Sequence, residues 1–162
     1  MTGVQTCALP IDLLVKGVLR EGSFHSSGEW IPSIALMAGA LFPTGRGDEK
    51  VGFQGTAIAS GKTDQIIYHL NAGGLLDKIH NDPGFIWGVV LEYMISDGFL
   101  AAWEIDGKAV ESHVPDDSTL IGMIWAIPSR RLSLDIGGRF GLTDVAPDWL
   151  FTLGVTFDFS VH

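Results

Sequence analysis

The stretch Trp149-Leu-Phe-Thr-Leu-Gly-Val-Thr-Phe-Asp-Phe-Ser-Val-His162 alternates with a period of two. Successive side chains of an extended strand point to opposite sides, so Trp149, Phe151, Leu153, Val155, Phe157, Phe159 and Val161 share one face. Thr152, Gly154, Thr156, Asp158, Ser160 and His162 share the other, and only Leu150 breaks the pattern. The preceding segment repeats it, with Leu132, Leu134, Ile136, Gly138 and Phe140 set against Ser133, Asp135, Gly137, Arg139 and Gly141. Further upstream, Phe85, Trp87, Val89, Leu91, Tyr93 and Ile95 alternate with Ile86, Gly88, Val90, Glu92 and Met94. Phe99, Ala101, Trp103 and Ile105 alternate in the same way with Leu100, Ala102, Glu104 and Asp106. Weaker alternation places strands at 12–20, 31–42, 51–60, 64–74 and 118–128. No window shows helical spacing more strongly than alternation. The pattern predicts an all-β chain of roughly nine antiparallel strands, each near the length of a tilted membrane-crossing strand.

Composition narrows the function classes. Of 162 residues, 46% are hydrophobic and 18% charged, too apolar a balance for disorder. Asp and Glu number 19 against 10 Lys and Arg, and no basic cluster exceeds Arg130-Arg131, so a nucleic acid partner is not expected. No apolar run reaches the roughly 18 residues of a membrane-spanning helix, which excludes a single-helix anchor. The 21 glycines and seven prolines, with many β-branched and aromatic residues, fit strands joined by turns.

Two features favour a membrane barrel over a soluble one. Each strand can be phased with one series free of charge, leaving Lys16, Arg20, His69, Glu92, Glu104, Asp106, Asp135, Arg139 and Asp158 on the other face as candidates for the lumen. A soluble barrel does the reverse, apolar inside and charged outside. The second feature is loop length. Tight turns at Gly61–Asp64, Ser96–Gly98 and Pro128–Arg131 alternate with longer loops at 43–51, 75–84, 107–117 and 141–148, as short periplasmic turns and long external loops do. That register sets Trp87, Trp103, Phe140 and Trp149 near the outer lipid interface and Tyr93, Phe99, Trp125 and Phe159 near the inner one, as two aromatic girdles. An ordinary aromatic core is the alternative.

The first eleven residues, Met1-Thr-Gly-Val-Gln-Thr-Cys-Ala-Leu-Pro-Ile11, resemble the conceptual translation of a sequencing adapter and are set aside from the fold. Cys7 is the only cysteine, so the remainder carries no thiol chemistry.

The segments Pro32-Ser-Ile-Ala-Leu-Met-Ala-Gly-Ala-Leu-Phe-Pro-Thr-Gly45, Leu91-Glu-Tyr93 and Leu134-Asp-Ile-Gly-Gly-Arg-Phe-Gly-Leu142, then Ala146-Pro-Asp-Trp149 and Gly154-Val-Thr-Phe157, carry a family resemblance. They resemble the Gram-negative outer-membrane transporter family named for the MetA pathway of phenol degradation. The resemblance runs from Asp12 onward and is most specific in the C-terminal strand pair with its Gly-Leu and Ala-Pro-Asp-Trp loop. It implies that 12–162 is the C-terminal part of an up-and-down transmembrane β-barrel, incomplete by itself. It further implies a location in the outer membrane, contact with its lipid and with the barrel assembly machinery, and passage of small molecules, aromatic or apolar. One departure stands out, since such barrels usually finish on an aromatic residue and this chain finishes Phe159-Ser-Val-His162.

Other chemistry is less well supported. Ser60-Gly61-Lys62-Thr63 resembles a phosphate-binding loop, but the required upstream glycine is one place off, at Gly55, and no helix pattern follows. A tight turn explains it better. The five histidines show no metal-ligand spacing. Ser60 and His69 lie in strands, yet the sequence shows them no acidic partner, so the expectation is neither enzyme nor cofactor. The charges are expected to pair, either as a constriction that selects solutes or as an ion-pair lattice filling a narrow barrel. A passive channel, a structural or adhesive barrel with a plugged lumen, and a soluble lipocalin-like binder all stay open.

Overall fold

The computed structural model describes residues 12–22, 31–43, 50–111, 113–127 and 131–157. They form one sheet of nine strands: β1 (Asp12–Arg20), β2 (Ser33–Leu41), β3 (Gly52–Lys62), β4 (Ile66–Leu76), β5 (Pro83–Ser96), β6 (Phe99–Val110), β7 (Asp116–Ile127), β8 (Leu132–Gly141) and β9 (Trp149–Phe157). Every strand pairs antiparallel with its neighbours in sequence. The described residues contain no helix.

Antiparallel partners point to the same face, so the eight ladders tie the nine phases together. Val89 lies opposite Leu70 and Ile105, Ile105 opposite Thr119, and Thr119 opposite Phe140. Following such rows across the sheet puts Leu13, Leu36, Phe53, Leu70, Trp103, Ile121, Ile136 and Leu153 in one outer series. A slip of one residue in any ladder would have mixed the faces. Instead the outer series holds charge at two positions only, both at strand ends: Asp117 in β7 and Arg20 in β1.

Arg20 is a correction to the sequence reading. A bulge after Val18 sets it opposite Ile34, out of phase with Lys16 and Val18, and its guanidinium donates to the Pro32 carbonyl at 3.0 Å. Simple alternation cannot foresee an inserted residue.

The other face is the inside of a curl. Met37 of β2 and Lys108 of β6 line one cavity of about 280 Å³, although a flat sheet would hold strands four apart at about 19 Å. The curl encloses no apolar core. Among the described residues the buried apolar side chains are Ala35, Leu75 and Ala146, whereas Phe151 and Leu153 are 76% and 79% exposed.

The sheet is not closed. With nine up-and-down strands β1 and β9 run in the same direction, and among the described residues no ladder joins them. An antiparallel seam needs an even strand count, so this is an incomplete barrel. Its ends are unlike: turns 63–65 and 97–98 are tight, while 77–82 and 142–148 are longer; the turn read at 128–131 and the loop read at 43–51 lie mostly outside the described residues. Between β1 and β2, at the end that carries the tight turns, residues 23–30 lie outside the described residues. Asp97-Gly98 makes the tightest hairpin, with Gly98 at φ 91°, where a side chain would be strained. Ser60-Gly61-Lys62 is the end of β3 leading into the turn before β4.

Candidate functional site

Two polar groups stand on the inner face. The first is built around Arg139 of β8. Its Nη2 donates to Glu104 Oε1 at 3.2 Å, and its Nη1 to Asp106 Oδ1 and to Ser118 Oγ. Ser118 in turn donates to Asp106 at 3.0 Å. One guanidinium thus bridges two carboxylates two residues apart on β6, reaching across β7. Its fork geometry suits that spacing, and the arrangement keeps one net negative charge. All three charged side chains are about one quarter to one third exposed, so they are neither buried nor fully solvated.

The second group joins three adjacent strands. His69 of β4 lies directly opposite Ser60 of β3, and its Nδ1 is 2.7 Å from Ser60 Oγ. On its other side Nε2 is 3.9 Å from Glu92 Oε1 of β5. Ser60 is buried at 9% exposure, and the His69 and Glu92 side chains are partly covered. A serine donor at Nδ1 leaves the ring proton on Nε2, on the carboxylate side.

A second cavity of about 360 Å³ takes one carboxylate from each group, Glu92 and Glu104, and sets them with Asp135, Ser133 and Thr152 among apolar side chains such as Val90, Leu120 and Ile124. Asp135 stands over Gly154, where an added Cβ would collide with its carboxylate. Lys16 is on the same face but far along the sheet, opposite Met37. Asp158 and Phe159 lie outside the described residues, as do residues 1–11.

No protein-family model matches this chain, and no curated protein matches its sequence.

Seven of the aromatic residues read from the sequence, Trp87, Tyr93, Phe99, Trp103, Trp125, Phe140 and Trp149, stand on the outer face. All but Trp87 are exposed. Phe99 and Trp125 stack across the β6–β7 ladder, centroids 5.6 Å apart and planes 11° from parallel. Trp103 donates its indole N–H to Thr119 Oγ1 at 3.0 Å, so its polar edge has a partner.

The sequence reading did not identify Ser118 as a member of the Arg139 group or Glu92 as the acid beside His69. Both follow from register. A turn at 61–64 would set His69 opposite a residue well before Ser60, whereas the turn falls at 63–65 and pairs them directly. Two residues of displacement hid the contact. The signal available was the Thr63-Asp64 turn chemistry, where Thr63 Oγ1 accepts from the Ile66 N–H at 3.1 Å.

Proposed function

We propose that this chain forms part of an outer-membrane β-barrel that passes small solutes along its polar inner face. The observation that carries the reading is the outer series, apolar over nine strands with charge only at Arg20 and Asp117. A surface of that kind is suited to hydrocarbon, where interstrand pairing satisfies the backbone and side chains need no water. A soluble lipocalin-like barrel would carry its apolar series inside, and the inner face here holds Glu92, Glu104, Asp106, Asp135 and Arg139 instead. The exposed indoles and phenyl rings of the outer face suit the lipid interface.

For the solute, the resemblance to the outer-membrane transporter family of phenol degradation supports small aromatic or apolar molecules. The inner face supports a path of mixed character, in which carboxylates and hydroxyls alternate with apolar side chains such as Val90, Leu120 and Ile124. Reconstitution of the barrel into liposomes tests both parts. Brominated lipid should quench the fluorescence of Trp103, Trp125 and Trp149, and swelling in isosmotic solutions of small neutral solutes should exceed that of empty liposomes. Quenching without swelling would favour a plugged structural barrel. Absence of quenching would overturn the membrane reading.

A further inference from the structure

We propose that Ser60, His69 and Glu92 form a nucleophilic site that accepts acyl groups from small carboxylic esters. The proposal does not rest on transport or on lipid. It rests on the chain of contacts from Ser60 Oγ to His69 Nδ1 at 2.7 Å and from His69 Nε2 to Glu92 Oε1 at 3.9 Å. A serine hydroxyl is a weak nucleophile by itself and becomes a strong one when an adjacent imidazole takes its proton as it attacks. The imidazolium formed in that step is then stabilised by a carboxylate on its far side. The three groups sit on consecutive strands β3, β4 and β5, each held by ladders on both sides, which fixes their spacing without a loop. Other inner-face serines lack this setting: Ser118 donates to a carboxylate, and Ser33 Oγ donates to the Ser60 carbonyl at 3.4 Å.

In the first step Ser60 Oγ bonds to the ester carbonyl carbon while its proton passes to His69 Nδ1. The carbon–oxygen bond to the alcohol then breaks, and the alcohol leaves with that proton. Water attacks the acyl-serine, giving a proton to His69; the acid departs and Ser60 Oγ recovers the proton. Atoms and charge balance, and no co-reactant besides water is needed. Ile58 and Ile67 flank the pair on the same face, which gives a short acyl chain an apolar neighbour.

The test treats the refolded full chain with a fluorophosphonate probe and with p-nitrophenyl butyrate, and locates the adduct by peptide mass spectrometry. The expected result is one adduct, on Ser60, with none on Ser33, Ser118 or Ser133. S60A should abolish labelling and ester turnover while keeping the β circular dichroism of the parent. H69N should slow labelling at least tenfold. Glu92 acts through His69 as a positioning residue, so E92Q should slow labelling severalfold and E92D should restore part of the rate at unchanged fold. The proposal is overturned if Ser60 stays unlabelled in the folded chain, if S60A leaves turnover unchanged, or if inner-face serines label alike, which is the result a purely structural hydrogen bond gives.

Discussion

Arg139 holds together what would otherwise be a repulsive pair, because Glu104 and Asp106 lie two residues apart on one face of β6. Arg139→Ala leaves both carboxylates without the guanidinium, and for groups still partly in water the loss is expected to be about 2 kcal/mol. Arg139→Lys keeps the charge and loses the fork, so it should recover only part of that. Urea unfolding of the reconstituted protein measures both, and equal stability of the alanine variant would show the cluster to be incidental. On the opposite face Ile121 is 61% exposed at the middle of β7, paired on both sides. Ile121→Arg should destabilise the lipid-embedded form by about 2–4 kcal/mol, whereas in a solvated strand it would be nearly neutral. Single residues were the least legible in the sequence. The charge of Arg139 could be read, but the identity of its partners depends on two ladders whose registers no local pattern states.

Glycine and aromatic residues couple neighbouring elements. Gly61 faces Tyr68 across β3 and β4, and Gly107 faces Trp87 across β5 and β6; in both cases a Cβ would meet the ring. A ring covering a glycine fills the gap that a strand glycine leaves and fixes register. Gly107→Val should therefore displace the indole and cost about 1–3 kcal/mol, read as a lower unfolding midpoint with a changed Trp fluorescence spectrum. At the longer-loop end, Asp77 organises 77–82. Burial pushes its carboxyl up, but backbone N–H groups of Asp82, His80, Ile79 and Asn81 outweigh that and hold it below the usual carboxylate range. A carboxyl lowered in the folded state stabilises the loop above its unfolded-state pKa and loses that contribution as pH falls through the folded-state value. The amide resonances of His80 and Asp82 should accordingly keep their loop positions at neutral pH and move toward random-coil values only below the usual carboxylate range. Movement near neutral pH would contradict this. Strand existence and phase were readable because alternation is a strong signal: predicted spans 12–20 and 132–141 coincide with β1 and β8. The bulges after Val18 and Met94 and the turn at 63–65 were not, because one extra residue leaves composition unchanged.

The described residues form a curved sheet with two faces of opposite character, and among them no ladder joins β1 to β9. Nine strands set β1 and β9 parallel to each other, so an antiparallel seam would require an odd number of additional strands between them. Cysteines placed at Val15 and Leu153, in a chain with Cys7 replaced by Ser, should accordingly form no disulfide within one chain; efficient crosslinking would show a parallel seam. The central claim is that the apolar face meets lipid and the charged face meets water. Cysteine accessibility along β8 tests it most directly, because β8 has a partner on each side and its two faces are well separated. In reconstituted vesicles, cysteines at Ser133, Asp135 and Arg139 should react with a membrane-impermeant maleimide, and cysteines at Leu134, Ile136 and Phe140 should not. The opposite alternation, with the apolar positions reactive and the charged ones protected, would contradict the account.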